Sequence, residues 1–155
     1  MPAKDDTDAS PPEGEPGPRY RRPSPELVRR LARRVVRGGR ATFHSQAAFR
    51  DALLELLRRE EPLATIGGPR LRRLLLEVPG VRMTVRYTER PDGPPPTACP
   101  VCGSGLRPIR NKTLSGESIV LGQRCERCDY WTHGPRRVPV RYSFSKAGID
   151  GRRVD

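Results

Sequence analysis

No stretch of this 155-residue sequence stays apolar for the about 18–20 residues that a membrane span needs, and the first 23 residues lack the apolar core of a secretory signal. A soluble, cytoplasmic protein is expected. Aromatic residues are scarce at 5%, and hydrophobic residues of all kinds reach only 34%. Such a chain cannot bury the large core that metabolic enzymes build around a pocket. Also missing are a Ser/His/Asp set, a glycine loop that would cradle phosphates and a metal site with an open position. Asp51 and Glu55 stand one helical turn apart, a spacing common on solvated helix faces. No enzymatic activity is expected.

What the chain has instead is positive charge, proline and glycine. Lysine and arginine number 30 against 18 acids, a net charge of +12, and all but three of the cations are arginine. Residues 1–23 carry net −1, residues 24–96 net +7 and residues 97–155 net +6. Two basic segments favour a polyanion as partner, nucleic acid above all. Codon bias toward arginine and plain solvation of helix faces explain part of the same excess. Residues 1–23 hold six prolines and almost nothing apolar. They bury too little to offset their ordering entropy, so a disordered tail is expected there.

Ser24-Pro25 has the form of a helix start, with serine as N-cap and proline at the first helical position. Leu27, Leu31 and Val35 repeat every four residues beside Val28, while Arg29, Arg30, Arg33, Arg34 and Arg37 take the other face. Gly38-Gly39 ends this helix. After a short extended piece at 41–43, Ser45 caps a second helix whose stripe is Phe49, Ala52, Leu53, Leu56 and Leu57. Leu63–Ile66 has the makings of a brief strand. A third helix is expected over Pro69–Glu77, with Leu71, Leu74, Leu75 and Val78 inward and Arg70, Arg72 and Arg73 largely on its open side. Val81, Met83, Val85 and Tyr87 then alternate with Arg82, Thr84, Arg86 and Thr88, the pattern of a half-buried strand.

Three short helices followed by an amphipathic strand is the element order of a winged helix-turn-helix, whose third helix lies in the major groove. Two features depart from it. The connection between helices two and three is longer than the ~3–4 residues of a tight helix-turn-helix. No returning strand follows Tyr87, because 91–97 is a proline-rich linker; the alternating Val138, Val140, Tyr142 and Phe144 are the candidates for that partner.

Cys99-Pro-Val-Cys102-Gly and Cys125-Glu-Arg-Cys128-Asp are two C-x2-C pairs with 22 residues between them. Each pair lets two thiolates converge on one ion from a tight turn, and two such knuckles complete a tetrahedron. Gly103 permits a positive φ after the second ligand, with Asp129 as the substitute in the second knuckle. One structural Zn2+ on Cys99, Cys102, Cys125 and Cys128 is expected, with iron as the competing occupant of four thiolates. Four ligands leave no open position for water, so the ion stabilises the fold. Disulfides are disfavoured in a reducing compartment. His133 is a loop histidine or a spare ligand, and His44 a local packing group.

Between the knuckles, Leu106–Ile109 and Ser118–Leu121 are expected as a small hairpin, with turn chemistry over Asn111–Gly116 and Asp129–Trp131 as a third strand. Tyr130, Trp131, Tyr142 and Phe144 are interleaved with Arg124, Arg127, Arg136, Arg137 and Arg141. Rings among arginines suit stacking on unpaired bases, and equally suit covering a very small core.

The expected fold class is α+β: a disordered tail over 1–23, a winged-helix-like domain over 24–90, the linker 91–97, a β-rich zinc ribbon over 98–145 and a flexible C-terminus over 146–155. This layout resembles archaeal predicted transcription regulators in which a helix-turn-helix domain is fused to a C-terminal zinc ribbon. The resemblance is carried by Arg70-Leu-Arg-Arg-Leu after Gly68, the strand Val81–Tyr87, the two knuckles with Asp129-Tyr-Trp131, and Val138-Pro-Val-Arg-Tyr-Ser-Phe144, covering roughly residues 41–144. It implies DNA binding in an archaeal cytoplasm.

The leading expectation is a non-enzymatic transcription regulator that binds duplex DNA through Arg70, Arg72 and Arg73, with further contacts from Arg30 and Arg34 on the first helix and from Arg82 and Arg86 on the strand. RNA or ribosome association is the alternative. A third is a ribbon that docks on polymerase or another part of the transcription machinery, with no small-molecule substrate in any of the three cases.

Overall fold

The first two helices begin where their serines stand. In the computed structural model, which describes residues 19–39 and 42–148, α1 runs Pro25–Arg37 and the Ser24 side chain accepts the Leu27 N–H at 3.2 Å. Helix α2 runs Gln46–Glu60, with the Ser45 side chain accepting from Ala48 N–H at 3.1 Å. Each serine satisfies one donor that the first helical turn leaves free. Helix α3, Gly68–Leu75, has no side-chain cap and ends two residues before the expected Glu77. Pro79 disfavours helical geometry at Val78, and the chain turns there into the next strand.

Between α1 and α2 lies β1, Thr42–Phe43, and after α3 come β2 (Val81–Arg90), β3 (Leu106–Lys112), β4 (Ser118–Cys125), β5 (Trp131–His133) and β6 (Arg136–Lys146). They form two antiparallel three-stranded sheets, ordered β1-β6-β2 and β3-β4-β5. The described residues are therefore α+β, with three helices among them. Strand β6 comes from the far end of the sequence and lies between β1 and β2, so the Val138–Phe144 alternation does supply the partner that β2 lacks locally. Their register shifts between Arg86 and Tyr87, opposite Pro139, which has no N–H to give to a ladder.

One core lies among the helices. Val28, Leu31, Phe49, Leu53, Leu57, Leu71 and Leu75 are buried there together with Phe43 and Phe144 from the strands. The ring of Phe49 sits 5.1 Å from Phe43 and 5.0 Å from Phe144, within the range where aromatic pairs attract. A second, smaller core gathers Cys99, Val101, Cys102, Cys125 and Tyr130. The inner face of β2 serves both: Val81 and Met83 pack on the helical core, and Met83, Val85 and Tyr87 on the cysteine core.

The expected strand at 63–66 is a single bridge between Arg21 and Ala64, made by Arg21 N–H to Leu63 O at 2.8 Å and Thr65 N–H to Arg21 O at 3.0 Å. Pro23 is also buried, so packed chain begins ahead of residue 24. The rest of the tail, residues 1–18, lies outside the described residues, as do 149–155 of the C-terminus. Among the described residues, no helix is long and apolar enough to cross a membrane.

Candidate metal centre and basic surfaces

The first knuckle is a tight turn before β3, closed by Gly103 N–H to Cys99 O at 2.8 Å and Cys99 N–H to Ser104 O at 2.9 Å. Gly103 has φ 75°, a left-handed geometry that costs glycine nothing. The second knuckle lies between β4 and β5, held by Cys125 N–H to Tyr130 O at 2.8 Å, and its Arg127 N–H points at Cys125 Sγ from 3.3 Å. Asp129 does not adopt the positive φ expected of it: among the described residues every positive φ belongs to a glycine. Strand β5 accordingly starts at Trp131 and runs to His133, two residues later than expected.

The two turns bring all four sulfurs within 4.8 Å of one another. Cys99 Sγ lies 3.5 Å from Cys128 Sγ, and Cys102 Sγ lies 3.5 Å from Cys125 Sγ. None of the four is in a disulfide; three are buried and Cys128 half-buried. A tetrahedral ion with bonds of about 2.3 Å to sulfur requires sulfurs about 3.8 Å apart, so the donor set fits one such ion with small adjustments. Burial raises the Cys99 thiol to about 11 and pushes Cys128 up further. Cys102 falls to about 7, because burial, which raises it, is outweighed by hydrogen bonds from Ser104 and from the neighbouring thiols Cys125 and Cys99. His133 is exposed on β5, outside the cluster, and His44 is exposed just ahead of the α2 cap.

Polar ties fix the knuckles to the helices. Arg72 on α3 donates to the Val101 carbonyl in the first knuckle and to Gln46 Oε1 at 2.6 Å, and its guanidinium carbon stands 4.3 Å from the Tyr142 ring centroid. Glu77 accepts from Arg29 on α1 and from Arg127 in the second knuckle, which holds its carboxyl below the usual range. This corrects the expectation for Arg72: its guanidinium belongs to an internal joint and not to an open helix face. Arg70 is also engaged, donating to Pro23 O at 2.7 Å; burial and the nearby charges of Arg22 and Arg73 lower its pKa. Arg30 is paired with Glu60. Arg34, Arg73, Arg82 and Arg86 are exposed.

Strand β6 adds a residue that the sequence did not single out for duplex contact. In the β2–β6 register Arg82 faces Ser145, Thr84 faces Ser143 and Arg86 faces Arg141. Val81, Met83 and Val85 point into the cores, so Arg82, Thr84, Arg86 and Arg141 share the outer face. The alternation Arg141-Tyr-Ser143-Phe144-Ser145 was the available signal, but its partner strand lies more than fifty residues away in sequence. Of the four rings expected either to stack or to cover a core, Tyr130 and Phe144 are buried, Tyr142 is half-buried under Arg72, and Trp131 is 48% exposed.

No protein-family model, curated protein or solved structure matches this chain.

Proposed function

We propose that this is a non-enzymatic nucleic-acid-binding protein, stabilised by one structural zinc ion, that acts as a DNA-binding transcription regulator of the helix-turn-helix and zinc-ribbon type. The observation that carries the reading is the outer face of β2–β6. Arg86 and Arg141 stand directly opposite each other, with Arg82 on the same face, and no ion pair engages any of the three among the described residues. Like charges in register destabilise a strand pair, so such a face is sustained most simply by a polyanion that neutralises it. Arg70 and Arg73 on α3, with Arg22 from the segment ahead of α1, form a second cluster of one sign. Zinc is the occupant best suited to four thiolates in a closed tetrahedron, and it would make the knuckles rigid without supplying chemistry.

The test is titration of the zinc-loaded chain with duplex DNA over a range of salt. Binding should weaken steeply with salt, with a slope of about 0.9 per phosphate neutralised. Reversing charge at Arg82, Arg86 and Arg141 together should remove most of that slope. Indifference of affinity to the triple reversal sinks the reading. Structured RNA that displaces the duplex at equal salt would move the function to RNA.

A further inference from the structure

The β3-β4-β5 sheet carries a second surface, distinct from the outer face of β2–β6. Arg107 on β3 is the register partner of Arg124 on β4, and Arg124 is the register partner of Trp131 on β5. Register partners project from the same side of a sheet, so these three side chains stand in one row across all three strands. The row lines an open cleft of about 530 Å³ that borders the candidate metal centre, its other walls being Ile109, Glu126, Asp129, Tyr130 and the thiols Cys125 and Cys128. That volume lies within the range of small-ligand sites.

Trp131 is held for contact. The Arg137 guanidinium lies 4.3 Å from its ring centroid and 4.1 Å from that of Tyr87, making a three-layer stack of tyrosine, arginine and tryptophan. Arg137 is itself tied at both ends: its Nη1 donates to Trp131 O at 3.3 Å, and Tyr130 Oη donates to Arg137 O at 2.9 Å. The indole is thereby fixed while remaining 48% exposed beside the cleft. Glu126 pairs with Arg107, which leaves Arg124 as the cleft cation without an ion-pair partner among the described residues. Arg110 and Lys112 continue the positive charge along β3.

We infer that this cleft binds an unpaired nucleotide, the base stacking on Trp131 as the next layer of the stack and the phosphate lying on Arg124. Every base offers a π-face, but only an unpaired one can present it to a side chain; duplex bases already cover each other. The inference rests on the nucleic-acid reading above and adds single strands to it as a ligand class.

Trp131 is the only tryptophan in the chain, so its emission reports on this site alone. The zinc-loaded protein is titrated with oligothymidylate and with oligouridylate of about twelve nucleotides, and with a duplex of the same length. Either single strand should quench the emission saturably, with the preferred one separating DNA from RNA as the source, while the duplex should leave it nearly unchanged. Trp131→Ala should lose roughly tenfold or more in single-strand affinity, Trp131→Phe should keep most of it, and duplex affinity should not change in either. Arg124→Ala should lower the single-strand salt slope by about 0.7. A chain that binds duplex DNA while its emission ignores single strands overturns this inference alone. A chain that binds no nucleic acid at low salt overturns both readings. Retained zinc content in each variant separates lost stacking from lost folding.

Discussion

Arg72 and Arg73 are adjacent on α3 and have opposite fates. The first reaches inward to Val101, Gln46 and Tyr142; the second is exposed. Replacing Arg72 with alanine should cost about 1.5–3 kcal/mol, the scale of hydrogen bonds to a charged group, seen as a lower unfolding midpoint in denaturant. Lysine should restore little of it, because a point charge cannot reproduce the fork that meets two acceptors and a ring. Arg73→Ala should stay within about 0.5 kcal/mol of the parent. Equal effects of the two substitutions would count against this division. The Arg86/Arg141 pair makes a sharper claim. Arg141→Glu should stabilise the isolated protein by about 0.2–1 kcal/mol, by replacing a like pair with an opposite one, while weakening nucleic-acid binding. Both helix arginines were legible as basic positions on a helix. Their separation was not, because it depends on a carbonyl in a knuckle 29 residues further along the chain.

The elements divide by how local their causes are. Caps at Ser24 and Ser45 and the clustering of the four cysteines were legible because a capping hydroxyl and a C-x2-C turn act within a few residues. The start of β5 was not, since it answers to its pairing with β4. Gly122 illustrates this: a Cβ there would come 1.9 Å from Thr132 O, so the closeness of β5, not a turn, demands glycine. For the knuckles as elements, pH acts in two opposite directions. In the metal-free fold the Cys99 thiol, raised to about 11, and the Cys128 thiol are protonated at neutral pH. Metal uptake must therefore release protons, and affinity should rise as pH rises from 6 to 8. Titration calorimetry in buffers of different ionisation enthalpy counts those protons. A folded pKa above the unfolded value favours folding below the unfolded pKa, so stability of the metal-free chain should instead fall as pH climbs from about 9 toward 11. A pH-independent metal affinity contradicts this account.

At the scale of the whole molecule, β6 decides the behaviour. It leaves the second sheet's neighbourhood, enters the first sheet between β1 and β2, and places Phe144 against Phe49. With Arg72, Glu77 and the shared inner face of β2, this couples the two cores. Helix loss followed by circular dichroism and loss of the β3-β4-β5 sheet followed by Trp131 emission should coincide in one thermal transition of the metal-loaded chain. Chelating the metal should lower both together. Two separated transitions would show that the halves melt independently. Phe144→Ala should cost about 3–5 kcal/mol and depress both signals, although the residue is closer in sequence to the second knuckle than to any helix.

By itself the sequence determined the helix starts, the apolar faces, the four cysteines that could hold a metal and the basic character of both segments, because each depends on residue type and short spacing. Only the tertiary structure decided which arginines remain open, which ring remains exposed and how the two cores share a sheet. Those outcomes come from contacts between residues dozens of positions apart, and periodicity within one segment contains no term for what another segment will place against it.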